Sequence, residues 1–538
     1  MGGANGESGG GQIPAAFDPP KRTTNKYAIS AAFLASLASI LLGYDVGVMS
    51  GAALYIKEDL RISDVKVEIL VGIINLYSLV GSGLAGRTSD WIGRRYTMVF
   101  ASVIFFVGAI LMGFATNYPF LMVGRFVAGI GVGYALMIAP VYTAEIAPAS
   151  VRGFLTSFPE VFINFGVLLG YVSNFAFKNL GAHLSWRFML GVGAIPSVLL
   201  GVSVLTMPES PRWLVMKGRL GDARKVLLKT SDSPEEAHQR LAEIKEAAGV
   251  PEDCNDDVIT VAAKKPGDQK GVWRELFISS TPAVRHILLT GVGIHFFQQA
   301  SGIDAVVLYG PRIFEKAGIS SDTDKLLCTI AIGFTKTIFI LVATFTLDRF
   351  GRRPLLLTSV GGMVITQLLL GTALTVIERS EEKVTWALAL AIAMTLAYVA
   401  AFSIGAGPIT WVYSSEIFPL RLRATGCSLG TGINRATSGV ISMTFISLYK
   451  SISIGGSFFL YGGIAAVGWL FFFTLMPETQ GRTLEEMEAL FGTFFNWRSK
   501  LREINASKAK DNNLLLQMTS VEGGDANKIE LSRFNLGD

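Results

Sequence analysis

Several places in the sequence set ionisable or amide side chains inside long apolar stretches, where such groups are costly and by default mark a path for an ion or a solute. Asp45 lies within Gly43, Tyr44, Asp45, Val46, Gly47, and Arg125 falls early in another apolar run. If they face one another, the guanidinium stabilises the carboxylate while the apolar surroundings favour the neutral acid, the opposed pulls that a protonation switch needs; a static buried ion pair is the alternative. Gln298, Gln299, Ser301 and Asp304 share one run with Gly302, which permits local unwinding. An amide both donates and accepts, as a hydroxyl does, so these residues suit sugars and polyols, with interhelical polar glue as the other reading. Glu160 and Asn164 stand one helical turn apart, and Asn434 and Arg435 interrupt a Gly-rich run. Trp411 follows Gly405, Gly407 and Pro408 and offers a stacking face for a carbohydrate or an interfacial anchor. Gly129, Gly131 and Gly133 have no preceding strand, so close helix packing explains them better than a nucleotide loop. No nucleophile with a base, no metal cluster and no phosphate loop emerges, so an enzyme, a metal and a cofactor are not expected.

The elements that carry these residues are set by bilayer solvent. Of 538 residues half are apolar and only 17% charged, against roughly a quarter charged in soluble domains. Apolar runs fall at about 27–49, 67–86, 96–116, 119–142, 154–177 and 186–207, then at 285–310, 327–347, 354–377, 384–411, 424–448 and 456–476. Since a spanning helix needs about 20 residues, the expectation is an all-α membrane protein of twelve spans in two six-helix halves, 27–207 and 285–476. The polar stretches 1–26, 208–284 and 477–538 are then a disordered N-terminus, a helical linker and a tail. Trp213, Leu214, Val215, Leu220, Ala223, Val226 and Leu227 alternate with charges at near-helical spacing, which predicts short amphipathic helices in that linker. Arg87, Arg94, Arg95, Arg152, Arg349, Arg352, Arg353, Arg421 and Arg423 collect on the face shared by both termini, which makes that face cytoplasmic. The net charge of +5 therefore reads as orientation and not as a nucleic-acid partner. Cys254, Cys328 and Cys427 are too scattered for a disulfide framework, and the triplet Asn505, Ala506, Ser507 in the tail is expected to stay unglycosylated.

The halves are duplicates at the level of motifs. Asp90, Trp91, Ile92, Gly93, Arg94, Arg95 is echoed by Asp348, Arg349, Phe350, Gly351, Arg352, Arg353; Tyr142, Thr143, Ala144, Glu145, Ile146 by Tyr413, Ser414, Ser415, Glu416, Ile417; and Pro208, Glu209, Ser210 by Pro477, Glu478, Thr479. An Asp at such a turn can cap the next helix, and the arginines can reach carboxylates on neighbouring helices. Asp90, Arg94, Glu145 and Glu209, with Asp348, Arg352, Glu416 and Glu478, are thus candidates for a breakable cytoplasmic latch, unless the arginines only set topology. The linker helices could brace that latch or merely join the halves.

In order and in register with the spans, GRTSDWIGRR, PESPRW, QQASG, DRFGRRP and PETQGR resemble the sugar porter family of the major facilitator superfamily, over nearly all of the chain from Gly43 to Thr483. SFPEVFIN and QQASGIDAVVLYGP look like the plant polyol and monosaccharide transporters. The resemblance implies the major facilitator fold, proton coupling at Asp45 with Arg125, and solute contacts at Gln298, Gln299 and Trp411. The chain departs from hexose and pentose porters in having Glu160 and Asp304 where they have amides, and Asn434 and Arg435 in the eleventh helix. A carboxylate accepts from two adjacent hydroxyls, so Glu160, Asp304 and Arg435 would form a charged, hydroxyl-seeking site in which Arg435 balances one of the two acids. The implied function is proton-coupled symport of linear polyols, inositol and monosaccharides by a monomer, with the proton as co-substrate and no other cofactor. A facilitative uniporter and a nutrient sensor are the rivals. The implied location is the plasma membrane or the vacuolar membrane, with both termini cytoplasmic.

Overall fold

The computed structural model describes residues 25–148, 152–251, 254, 256–259, 273–380, 382, 384–419, 422–480, 490, 491, 499 and 502. The polar N-terminal stretch, Arg421, Asn505 and most of the tail lie outside the described residues, as does the side chain of Asp348.

Ten helical segments are long and apolar enough to cross a bilayer: Lys26–Leu60, Asp64–Ile92, Arg94–Gly113, Tyr118–Ile146, Phe154–Leu180 and Ala182–Leu205, then Asp322–Leu347, Arg352–Arg379, Thr385–Ile417 and Ile454–Leu475. Two more complete the expected twelve. The seventh consists of Pro282–Ala300 followed by Ile303–Lys316, and the eleventh is Arg423–Ile452. These two fall short on apolarity because they carry Gln298, Gln299, Asp304, Asn434 and Arg435. Both of these helices contribute to the interior cavity, together with spans that read as fully apolar.

Helices run further than the apolar stretches that nucleate them. The first reaches Leu60 before Arg61 turns left-handed, and the seventh begins at Pro282, where the Thr281 side chain caps Val284 and proline suits the first helical position. Tight seams bring the spans together: a Cβ on Gly133 would stand 2.2 Å from the Ser78 carbonyl oxygen, so the fourth span can approach the second only through glycine.

Two spans break near mid-length at a glycine whose backbone leaves the helical region. Gly302 has φ +84°, and a Cβ there would meet the Tyr461 ring at 2.7 Å, so the local unwinding expected at this glycine is present. The tenth span breaks at Gly405, where the Ser359 hydroxyl accepts the N–H of Ala406 at 2.9 Å. Broken backbone at membrane depth is tolerated where side chains re-satisfy it beside a cavity.

Between the halves, Pro211–Met216, Leu220–Thr230 and Pro234–Ala248 form a small bundle around Leu214, Val215, Leu220, Ala223, Leu227 and Leu241. Asn25 caps the first span and also donates to the carbonyls of Lys229 and Ser231, fastening that span to the bundle.

Candidate functional site

Asp45 and Arg125 meet inside the first half with side-chain exposures of 1% and 0%. One terminal guanidinium nitrogen donates to both carboxylate oxygens at 2.6 and 2.8 Å. The remaining donors go to the carbonyls of Leu70 and Val71 at 3.1 and 3.2 Å, so the second span holds the arginine in place. Removing one member of such a pair would leave the other buried and uncompensated, at a cost of about 3–5 kcal/mol.

Next to this pair lies a compact cavity of about 60 Å³ that neither Asp45 nor Arg125 lines. Val46 lines it, whereas Asp45 faces away toward Arg125. From the first half come also Leu42, Glu160, Ile163 and Val167. From the second come Gln298, Gln299, Asp304, Lys336, Phe402, Trp411 and Arg435 among others. The structure therefore brings together all the sequence-derived solute residues except Asn434, which is fully buried behind the wall.

Asn434 is the tie among these residues. Its amide nitrogen donates to Gln298 at 2.6 Å, and its oxygen accepts from Gln299 at 3.2 Å and from Arg435 at 2.7 and 3.1 Å. Gln298 spends its own donors on the carbonyls of Ala406 and Gly407 beside the break in the tenth span. It is therefore glue as well as wall, while the buried side-chain oxygen of Gln299 has no hydrogen-bond partner among the described residues. Asp304 accepts from the Ser438 hydroxyl, and Asn164 donates to the Glu160 carbonyl at 2.7 Å. Trp411 is steadied by the His295 ring, edge-on at 5.0 Å.

Lys336 is a cavity residue outside the sequence-derived set, although it is the lone charge of the apolar run 327–347, the same signal that marks Asp45 and Arg125. Charge balance is a second signal: Glu160 and Asp304 face only Arg435 until a second buried cation is counted. Among the described residues Lys336 makes no ion pair within 4.0 Å, and its nearest aromatic neighbour is Phe402, 5.9 Å from the ammonium. Arg435 likewise touches neither acid directly, reaching instead to Asn75 of the first half at 3.5 Å.

At the linker face the repeated motifs assemble into two matching clusters. Arg94 holds Glu145 at 3.0 and 3.2 Å and Asp90 at 3.1 Å, and Arg352 holds Glu416 at 2.9 and 3.2 Å. The residue that caps the helix after Asp90 is Glu209 and not Asp90, and Glu478 takes the corresponding place in the second half. Glu209 accepts the N–H groups of Arg94 and Arg95, and Glu478 those of Arg352 and Arg353. Burial raises the Glu209 carboxyl above its ordinary range, against the lowering effect of these bonds. The contacts just described join each cluster to residues of its own repeat. The linker bundle reaches the first one, with Trp213 donating to the Asp90 carbonyl and Arg240 to the carbonyls of Glu145, Ile146 and Ala147 at the end of the fourth span.

The opposite face carries polar contacts that cross between halves. Asp64 pairs with Lys57 of its own half at 2.6 Å, and with Arg312 at 3.2 Å and Lys450 from the other half. One turn on, the buried Glu68 accepts the backbone N–H and hydroxyl of Ser447 at 2.7 and 2.6 Å. None of these residues is prominent in the sequence. At the linker face the halves meet through Phe154 and Phe345, whose rings are 6.0 Å apart.

Comparison with known proteins fits this architecture. The family model described as sugar (and other) transporter matches residues 31–491. Polyol transporter 5 of Arabidopsis thaliana is 65% identical over 494 residues, covering 92% of this chain and 90% of the relative. Putative polyol transporter 1 of the same plant is 62% identical over 506 residues, covering 94% and 98%. Among solved structures, the proton:xylose symporter XylE bound to 6-bromo-6-deoxy-D-glucose superposes with a TM-score of 0.71 at 31% identity, covering 87% of this chain and all of that one. An inward open form of XylE from E. coli gives 0.70 at 30% identity, covering 86% and 100%. The chain is thus a multi-pass membrane transporter, not an enzyme, and belongs to the sugar transporter family with the twelve-helix major facilitator fold.

Proposed function

We propose that this chain carries polyols, linear and cyclic, and related monosaccharides into the cell in symport with a proton. The observation that carries this reading is the sealed Asp45–Arg125 pair, one residue from a cavity wall built of amides, two acids, two cations and Trp411. A solute-binding wall and a proton-binding carboxylate on adjacent residues of one span are what coupling requires. The names of the relatives, polyol transporters and a proton:xylose symporter, support the same reading.

In this mechanism Asp45 takes a proton from outside, which frees Arg125 and lets the first span shift with Val46 against the solute. Solute hydroxyls pair with Glu160, Gln299 and Asp304 and stack on Trp411. Proton and solute leave together toward the linker face, which the arginine distribution makes cytoplasmic. The Arg94 and Arg352 clusters brace the halves as they rock. The membrane potential supplies about 2.3 kcal/mol per charge per 100 mV and each pH unit about 1.4 kcal/mol. One proton can therefore sustain strong accumulation of a neutral solute. We place the chain in the plasma membrane as a monomer with both termini cytoplasmic.

The test is uptake by the full chain in proteoliposomes under an imposed pH gradient, with a panel of polyols, inositol and sugars. Asp45→Asn should lose uphill accumulation and keep exchange of labelled for unlabelled solute. Full accumulation by Asp45→Asn, or flux in the unmodified chain that ignores pH and voltage, overturns proton coupling in favour of facilitated uniport.

A further inference from the structure

The charges around the cavity are divided unevenly between the halves. Glu160, on the fifth span, is the one charged lining residue of the first half, the rest of that wall being Leu42, Val46, Ile163 and Val167. Asp304, Lys336 and Arg435, on the seventh, eighth and eleventh spans, all belong to the second half. A wall of charge −1 thus faces a wall of net charge +1 across open space. The fifth and eighth spans already touch beside Glu160 and Lys336. The Thr337 hydroxyl, one residue from Lys336, donates to the carbonyl of Asn164, one turn from Glu160, at 3.4 Å.

A carrier that rocks around a central site must cross twice per cycle, once loaded and once empty. In the loaded crossing, solute hydroxyls bridge the walls. In the empty one, nothing bridges them unless the walls attract each other, and opposite charges on facing walls supply that attraction at short range. From this we infer that Glu160 and Lys336 form the cross-half pair that closes the empty cavity, so that Lys336 governs the return of the unloaded carrier. Solute hydroxyls take over both partners in the loaded crossing. The inference rests on the transport reading above but not on proton coupling, because a uniporter also returns empty.

The test compares two fluxes in proteoliposomes holding the full chain. Net uptake of labelled polyol includes the empty return; exchange against saturating unlabelled polyol on the other side bypasses it. Lys336→Met should lower net uptake roughly tenfold, within the range usual for coupling between states, and lower exchange no more than about threefold. Lys336→Arg should keep most of both fluxes. The exchanged pair Glu160→Lys with Lys336→Glu should restore the ratio of net uptake to exchange toward that of the unmodified chain, which also answers a Lys336→Met variant that fails to fold. Equal losses in both fluxes with a raised KM would make Lys336 a solute contact only and overturn the inference, as would two unchanged fluxes. Failure of the unmodified chain to exchange any polyol or sugar would instead overturn the transport reading itself.

Discussion

Asp64→Ala should release the face opposite the linker and shift the carrier toward the state open on that side. Two of the three cations on Asp64 come from the other half, so only Arg312 and Lys450 count in the difference between the two states. Arg312 is 10% exposed, and a hydrogen bond to a charged group of that kind contributes about 1.5–3 kcal/mol. Lys450 is 54% exposed, so solvent screens its pairing and it adds little to the difference. The pairing with Lys57 and the helix-start position of Asp64 act equally in both states and cancel. The closed side therefore loses about 1.5–3 kcal/mol, a shift of roughly 10- to 150-fold in the equilibrium. Spin labels at Lys66 and Ser451, both exposed near that face on opposite halves, report it as a longer pair distance. A distance distribution identical to that of the unmodified chain would refute the reasoning and reduce the cluster to surface charge.

Two further outcomes follow from buried polar ties. Asn434→Ala should raise the KM for solute roughly tenfold with a smaller change in the maximal rate, since Gln298, Gln299 and Arg435 all lose the amide that orients them. Uptake measured across a solute concentration series would show it. Arg240→Ala should lower the melting temperature in detergent, corresponding to about 1–3 kcal/mol, because the carbonyls of Glu145, Ile146 and Ala147 lose a shared donor.

What the sequence makes legible depends on how locally a feature is encoded. Spans announce themselves through long apolar runs, and Asp45 and Arg125 stand out because each is a lone charge in such a run. The Arg94 and Arg352 clusters are legible because the motifs repeat in the two halves. The caps at Arg94 and Arg352 are another matter. Helix caps are normally supplied by a neighbour in the chain, and here Glu209 acts from 115 positions away. Lys336 is legible by the same rule as Asp45 and Arg125, as the lone charge of the run 327–347, and the surplus of acids opposite it gives that charge its meaning. The Asp64 cluster joins four residues from three distant segments, all at span ends where charges are ordinary. Gln298 shows that the two readings of a buried amide are not exclusive, since it both packs the break in the tenth span and faces the cavity.

The position of Asn434 bears on how this site can drift over generations. One amide orients two glutamines and an arginine, so a change at any of the four alters the setting of the rest. Altered preference for cargo should therefore arise through linked substitutions inherited as a set, whereas replacements on the apolar wall of Leu42, Ile163 and Val167 can accumulate one at a time.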